Sequence, residues 1–161
     1  MIISWASGIA ILIAAARKHE KGFSMIGIIL VTHNNIGVEM LKALDAIVGK
    51  QQQAIAITVG MNDDIDLCRD KIASAVRTVN DGKGVILLVD MFGGTPSNLA
   101  IAAMPSGNAV VLAGLNLPML IKLASVRSEL PLLDAAREAE MAGRKYIQLV
   151  SENLAPAQGA G

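Results

Sequence analysis

Short runs of aliphatic residues alternate along this chain with longer segments of helical periodicity, and this alternation constrains the fold more than any other feature. Four runs carry no charge and have the length of single strands. These runs are 25–32, 54–59, 85–89 and 109–113. The segments between and after them repeat apolar residues three and four positions apart, which predicts helices. These segments are 37–49, 63–79, 95–104, 117–126 and 131–142.

Strands that alternate with helices in this way predict a parallel sheet covered by helices on both faces, a three-layer α/β fold. The predicted strand order is 2-1-3-4, which makes the first and third strands neighbours. A fifth, more polar run at 145–150 is also predicted as a strand. In such sheets, ligands and reacting groups lie beyond the carboxyl ends of the strands. The loops that follow the four aliphatic runs are therefore where a functional site is expected.

Composition excludes several classes of protein. With 53% hydrophobic and 17% charged residues among 161, the chain is expected to fold as one domain rather than to be disordered. Its 14 basic and 14 acidic residues cancel, which argues against binding to nucleic acid or to an anionic membrane. The single cysteine, Cys68, excludes an internal disulfide and a cysteine-only zinc site.

The first 24 residues differ from the rest. Residues 1–16 carry no charge, and a mostly basic stretch, 17–21, follows them. The apolar run is shorter than the roughly 20 residues that cross a bilayer, and a secretory signal has its positive charge before the apolar run rather than after it. We expect that residues 1–24 either form a disordered extension or are not translated, in which case Met25 is the true start of the protein. The alternative is a helix that docks on the domain or contacts a membrane. The domain is predicted over 25–151, and 152–161, rich in Ala, Pro and Gly, is predicted as a flexible tail.

Two side chains at neighbouring strand ends could act together. His33 follows the first aliphatic run and is the only histidine of the predicted domain. Imidazole is a nucleophile that can form covalent intermediates. Asp90 follows the third run and has two interpretations: it caps a turn, or it accepts a hydrogen bond from one ring nitrogen of His33 and leaves the other as the nucleophile.

A glycine-rich turn follows Asp90 and leads into a helix. Gly93 and Gly94 let backbone amides face an anion, and a helix N-terminus favours negative charge. Thr95 is predicted as the helix N-cap, with Pro96 at the first helical position. This turn alone is also typical of an ordinary helix start. Together with a nucleophilic histidine and an orienting aspartate, it indicates a histidine that carries a phosphoryl group.

Motifs for other chemistry do not occur. The sequence has no Walker A loop, no dinucleotide fingerprint and no Gly-x-Ser-x-Gly elbow. The acidic residues Asp63, Asp64 and Asp66 are interpreted as helix N-terminal acids rather than metal ligands. We therefore predict that the protein needs neither a metal nor a cofactor.

Three motifs in order give the chain a family resemblance. They are VTH at 31–33, DMFGGTPSN at 90–98 and GLNLPML at 114–120. From 25 to about 150 the chain resembles the IIA component of the mannose family of the bacterial sugar phosphotransferase system. Asn34 and Asn35 stand where glycines are common in that family; because asparagine tolerates positive φ, the turn is expected to survive.

The resemblance implies a role for each site residue. His33 would accept a phosphoryl group from the phosphocarrier HPr and pass it to a IIB domain, with Asp90 as its hydrogen-bond partner. Gly93, Gly94 and Thr95 would lie beside the phosphoryl group. The family further implies a cytoplasmic homodimer whose last strand is antiparallel and exchanged between subunits. The protein would not bind nucleic acid, and it would contact the membrane only indirectly, through transporter subunits.

Two other functions remain open at this stage. The protein could be a regulatory module whose phosphorylation state controls a partner without a transporter of its own. It could also be the phosphoryl-donor subunit of a dihydroxyacetone kinase, whose first domain shares this fold; the length of the chain counts against that interpretation. The sugar cannot be named, because a IIA domain does not contact it.

Overall fold

A computed structural model of the chain describes residues 24–104 and 107–150. The predictions for the N-terminal extension, apart from Ser24, and for the 152–161 tail lie outside the described residues. No helix in the described part of the chain is both long and apolar enough to cross a membrane.

The sheet has the predicted topology. Its strands are β1 (Gly27–His33), β2 (Ala54–Val59), β3 (Val85–Val89) and β4 (Ala109–Ala113). They lie in the order β2-β1-β3-β4 and all pair in parallel. His33 is in register with Val59, and Val31 with Val89, so the carboxyl ends of the three strands meet at one edge. This confirms the predicted fold class.

Five helices cover the two faces of the sheet. They are α1 (Ile36–Val48), α2 (Ile65–Val79), α3 (Thr95–Ala102), α4 (Leu117–Val126) and α5 (Leu132–Lys145). Ile28 and Leu30 of β1 point into a core shared with α1, α4 and α5, whereas Ile29 and Val31 point into a core shared with α2 and α3. The central strands β1 and β3 are buried on both faces, which explains their continuous aliphatic runs, whereas the edge strands β2 and β4 are half-buried.

Several predicted helix ends differ by one to three residues, and two of the differences involve glycines. Gly94, with extended dihedrals, is the N-cap of α3, and Thr95, which was predicted as the cap, is its first helical residue. A glycine occupies the cap because the chain passes close to the His33 ring there. Gly143, the residue after the predicted 131–142 helix, does not end α5 but lies within it. A Cβ on Gly143 would stand 2.9 Å from Met119 Cε, so this glycine permits close packing of α5 on α4 rather than stopping the helix.

The fifth strand predicted over 145–150 is absent from the sheet in the described residues. Lys145 ends α5, and residues 146–149 form no regular structure. The described sheet ends at β2 and β4, and this segment pairs with neither edge. Ile147, Leu149 and Val150 remain largely exposed. Exchange of this segment between subunits stays a prediction.

A buried cation lies at the opposite end of the sheet from His33. Arg127 is 4% exposed. Its guanidinium donates to the carbonyls of Ile26 and Gln52 and to Oε1 of Gln51, at 3.3, 2.8 and 3.1 Å. Burial lowers the pKa of Arg127 to about 10, against the opposing effect of Asp81. This arginine ties the start of β1 to the loop before β2, and no sequence pattern pointed to it.

Candidate active site

His33 and Asp90 contact each other at the carboxyl edge of the sheet. Nδ1 of His33 lies 2.9 Å from Oδ2 of Asp90. The same oxygen accepts a 2.9 Å hydrogen bond from the backbone amide of His33. The side chain of His33 is 39% exposed and that of Asp90 is 14% exposed. Because β1 and β3 are adjacent, the two loops meet, and the aspartate holds the ring through one nitrogen only.

The carboxylate of Asp90 is held in its charged form. Burial raises the pKa of Asp90, but the hydrogen bonds from the amide and ring of His33 outweigh it, and the net pKa lies below the ordinary value. The other oxygen, Oδ1, accepts from the amide of Met91 at 2.9 Å. An acceptor-only carboxylate beside Nδ1 favours the tautomer in which Nδ1 carries the proton.

The glycine-rich turn lies against the remaining ring nitrogen. A Cβ on Gly94 would stand 3.4 Å from Nε2 and 3.0 Å from Cε1 of His33. Gly93 has φ of +83°, a conformation that favours glycine, and a Cβ there would meet nothing within 4 Å. The structure thus places the N-terminus of α3 beside Nε2.

The first turn of α3 offers amides to an anion. The first four amides of a helix have no acceptor within it. Pro96 has no N–H, which leaves the amides of Gly94, Thr95 and Ser97; Asn98 already donates to the carbonyl of Gly94 at 3.0 Å. Thr95 is exposed, so its hydroxyl is accessible from solvent. Ser97 is fully buried, so an oxyanion next to Nε2 would meet the amides of Gly94 and Thr95 and the positive end of the helix dipole.

The turn after His33 has the expected backbone form. Asn34 adopts φ of 46°, and its amide donates to the carbonyl of Val59 at 3.1 Å. The expectation that asparagine sustains this turn is confirmed. Thr32, which is fully buried, accepts a 2.7 Å hydrogen bond from the amide of Gly37. Thr32 is the middle residue of the first motif, and this contact with Gly37, five residues further on, has no signature in the sequence.

The third motif supports Asp90 from the other side. Gly114 and Leu115 both donate to the carbonyl of Val89, at 3.0 and 3.1 Å. Asn116 caps α4 by accepting from the amide of Met119 at 3.0 Å. This motif therefore fixes the backbone just before Asp90 and does not itself reach His33.

The acidic cluster serves local structure. Asp64 caps α2 by accepting from the amides of Asp66 and Leu67, and Asp63 accepts from the amide of Gly60 at 2.8 Å. The interpretation of these residues as helix N-terminal acids is confirmed. Within 24–104 and 107–150, no three His, Cys, Asp or Glu side chains are grouped as metal ligands would be.

Comparison with known proteins gives a consistent result. The sequence model of the EIIA-man family, described as the PTS system fructose IIA component, matches residues 27–140. The fructose-specific EIIA component of Bacillus subtilis is 28% identical over 131 residues, which cover 81% of this chain and 90% of that protein. The mannose-specific EIIAB component of Escherichia coli is 28% identical over 141 residues, which cover 84% of this chain but only 44% of that protein.

Solved structures agree in fold. The phosphotransferase component EIIA from Streptococcus agalactiae superposes with a TM-score of 0.72 at 28% identity, over 80% of this chain and 99% of that one. The mannose/sorbose-specific IIA subunit from Enterococcus faecalis gives 0.69 at 27% identity, over 77% and 93%.

Proposed function

The chain belongs to the EIIA-man family of phosphotransferase-system IIA components, and on that premise we propose that it carries the phosphoryl group on Nε2 of His33. Family membership makes the protein a phosphoryl carrier of sugar phosphotransfer. The residue, the donor and the acceptor are our proposal. One observation carries it: Asp90 engages Nδ1 at 2.9 Å, and Nε2 is left beside the N-terminus of α3.

The proposed reaction is an in-line transfer between two histidines. The lone pair of Nε2 forms a bond to phosphorus as the N–P bond of phospho-HPr breaks, and the electrons of that bond return to the donor imidazole. The proton on Nδ1 stays in its bond to Asp90, whose negative charge stabilises the positive charge that develops on the ring. The reverse of this step passes the group from His33 to a IIB domain.

The neighbours of Nε2 would hold the transferred group. The amides of Gly94 and Thr95 and the Thr95 hydroxyl would donate to the equatorial oxygens. Gly93 would give the turn the positive φ that aims these donors. We propose that this working unit spans 25–151 and meets HPr and IIB in the cytoplasm.

Intact-mass measurement tests the carrier residue. The protein is mixed with enzyme I, HPr and phosphoenolpyruvate, and its mass is read before and after acid treatment. We expect one acid-labile phosphoryl group on the parent protein and none on His33→Ala. His19→Ala is the matched control, because it removes the only other histidine of the chain. A phosphoryl group that persists in His33→Ala would refute the assignment.

We also propose a homodimer formed through the segment after α5. Ile147, Leu149 and Val150 are 76%, 62% and 59% exposed, so three apolar side chains of one short segment face solvent in the described chain. Light scattering is expected to give a dimer for the full chain and a monomer for a triple Ser variant of these residues. A monomeric parent protein would contradict the proposal.

A further inference from the structure

A buried hydroxyl bridges the turn that follows His33. Residues 34 and 35 connect β1 to α1, and Thr32 Oγ1 accepts a hydrogen bond from the amide of Gly37 across this turn at 2.7 Å. Asn35, the N-cap of α1, makes no side-chain capping hydrogen bond. Thr32 therefore supplies the side-chain acceptor that the N-cap residue usually provides and Asn35 does not.

Each end of the turn is fixed by a hydrogen bond to a different element. At its entrance, the amide of His33 donates to Asp90 Oδ2, and the amide of Asn34 donates to the carbonyl of Val59. At its exit, the amide of Glu39 donates to the carbonyl of Asn35 within α1, and the amide of Gly37 donates to Thr32, which ties α1 directly to β1. Without the bond to Thr32, the first turn of α1 would lose this attachment to β1, and Asn34 would be freer to leave its φ of 46°.

The fit around this bond leaves no room for a substitute. Thr32 is 0% exposed, so water cannot replace its hydroxyl without a rearrangement. A Cβ on Gly37 would stand 3.0 Å from Thr32 Oγ1 and 3.1 Å from Leu30 Cβ. The glycine thus lets the amide approach the threonine closely.

We propose that Thr32 is a positioning residue for phosphoryl transfer: it acts through the turn and holds the His33 ring where Nδ1 meets Asp90 and Nε2 faces Gly94. This inference rests on the proposed function of His33 as the carrier. Thr32 touches neither donor nor phosphoryl group, so its loss should lower the transfer rate without changing the affinity for phospho-HPr.

The test compares three variants in a His19→Gln background, in which His33 is the only imidazole. Thr32→Val keeps the branched shape and removes the acceptor; Thr32→Ser keeps the acceptor. Thr78→Val is the matched control, because it removes a threonine hydroxyl that donates to the carbonyl of Ser74 at 3.0 Å on the exposed face of α2. The ¹⁵N shifts of the imidazole give the tautomer in the unphosphorylated protein, and rapid-quench kinetics give the rate and the half-saturating concentration of phospho-HPr.

The parent, Thr32→Ser and Thr78→Val are expected to show one dominant tautomer, with the proton on Nδ1, and similar rates. Thr32→Val is expected to show mixed tautomers and a rate about tenfold to a hundredfold lower at an unchanged half-saturating concentration. Parent-like shifts and rate in folded Thr32→Val would overturn the proposal. If Thr32→Val does not fold, loss of the single tautomer in Thr32→Ser would overturn it instead. Because the tautomer is read without any donor, a parent protein that takes no phosphoryl group refutes the proposed function separately.

Discussion

Gly94→Ala should displace the His33 ring and slow phosphoryl transfer while leaving the free energy of unfolding almost unchanged. Gly94 has φ of −78° and ψ of 171°, extended backbone that alanine adopts without strain. The new Cβ would stand 3.0 Å from Cε1 of His33, whereas carbon atoms in contact prefer about 3.5–4.0 Å. The ring must therefore move by roughly half an ångström, and it can, because it is 39% exposed.

Opposing effects keep the expected change in stability small. Replacing glycine at a compatible site stabilises by about 0.4–1 kcal/mol through the unfolded chain. Weakening the bond between Nδ1 and Asp90 costs about 1 kcal/mol. The free energy of unfolding should thus stay within about 1 kcal/mol of the parent value, while the displaced and partly shielded Nε2 transfers about tenfold to a hundredfold more slowly.

Gly82→Ala is the matched control with the opposite signature, because Gly82 precedes β3 at the edge of the sheet opposite His33. Its φ of +109° strains any L side chain by about 1–2 kcal/mol, yet a Cβ there would meet nothing within 4 Å. We expect this variant to lose stability in urea unfolding and to keep its transfer rate at saturating phospho-HPr. If Gly94→Ala transfers as fast as the parent, or if Gly82→Ala is the slower variant, the assignment of Gly94 to the attacking edge of the ring is refuted.

Three further outcomes are expected. Asp90→Asn should lose about 1.5–3 kcal/mol at pH 7, since it removes charged hydrogen bonds to His33. Because the pKa of Asp90 is depressed in the folded protein, the stabilisation from its charged form is present above about pH 4 and is lost as the pH falls through the folded pKa. Urea unfolding should therefore show the unfolding free energies of parent and variant converging at low pH. A difference that stays constant down to about pH 3 would contradict this explanation. In thermal unfolding, Asn34→Ala should lose about 1 kcal/mol while Asn34→Gly loses none, because φ is 46°; equal losses would disprove strain as the cause. Arg127→Met should lose about 2–4 kcal/mol in urea, as the carbonyls of Ile26 and Gln52 lose their donor, and a smaller loss would mean that other groups replace it.

Hydrophobic patterning was enough to predict the sheet and to bring His33 and Asp90 to one edge. Three of the four strands, Ala54–Val59, Val85–Val89 and Ala109–Ala113, begin and end at the predicted residues. These strands are short runs without charged residues, bounded by polar or glycine residues, so their ends are sharp in sequence. The order 2-1-3-4 then makes the loops after β1 and β3 neighbours.

What the sequence did not reveal depends on contacts between distant residues. Gly143 looks like a helix stop, but its lack of a Cβ serves packing against Met119. Arg127 looks like an ordinary surface cation, yet its partners lie 75 to 101 residues away in the chain. The capping role of Thr32 needed the distance to Gly37, because a threonine at the end of a strand is common for its β propensity alone.

The hydrogen bonds to the Asp90 carboxylate affect how the proposed cycle can run forward. Both oxygens already accept hydrogen bonds, one from Met91 and the other twice from His33. This depressed-pKa carboxylate has little capacity to take the ring proton for itself. In the proposed cycle the imidazole would thus stay protonated on Nδ1 while phosphorylated, and a cationic ring is the better leaving group. The arrangement that receives the phosphoryl group would also keep it easy to give away, so that the N–P bond retains its transfer potential instead of settling into a stable modification.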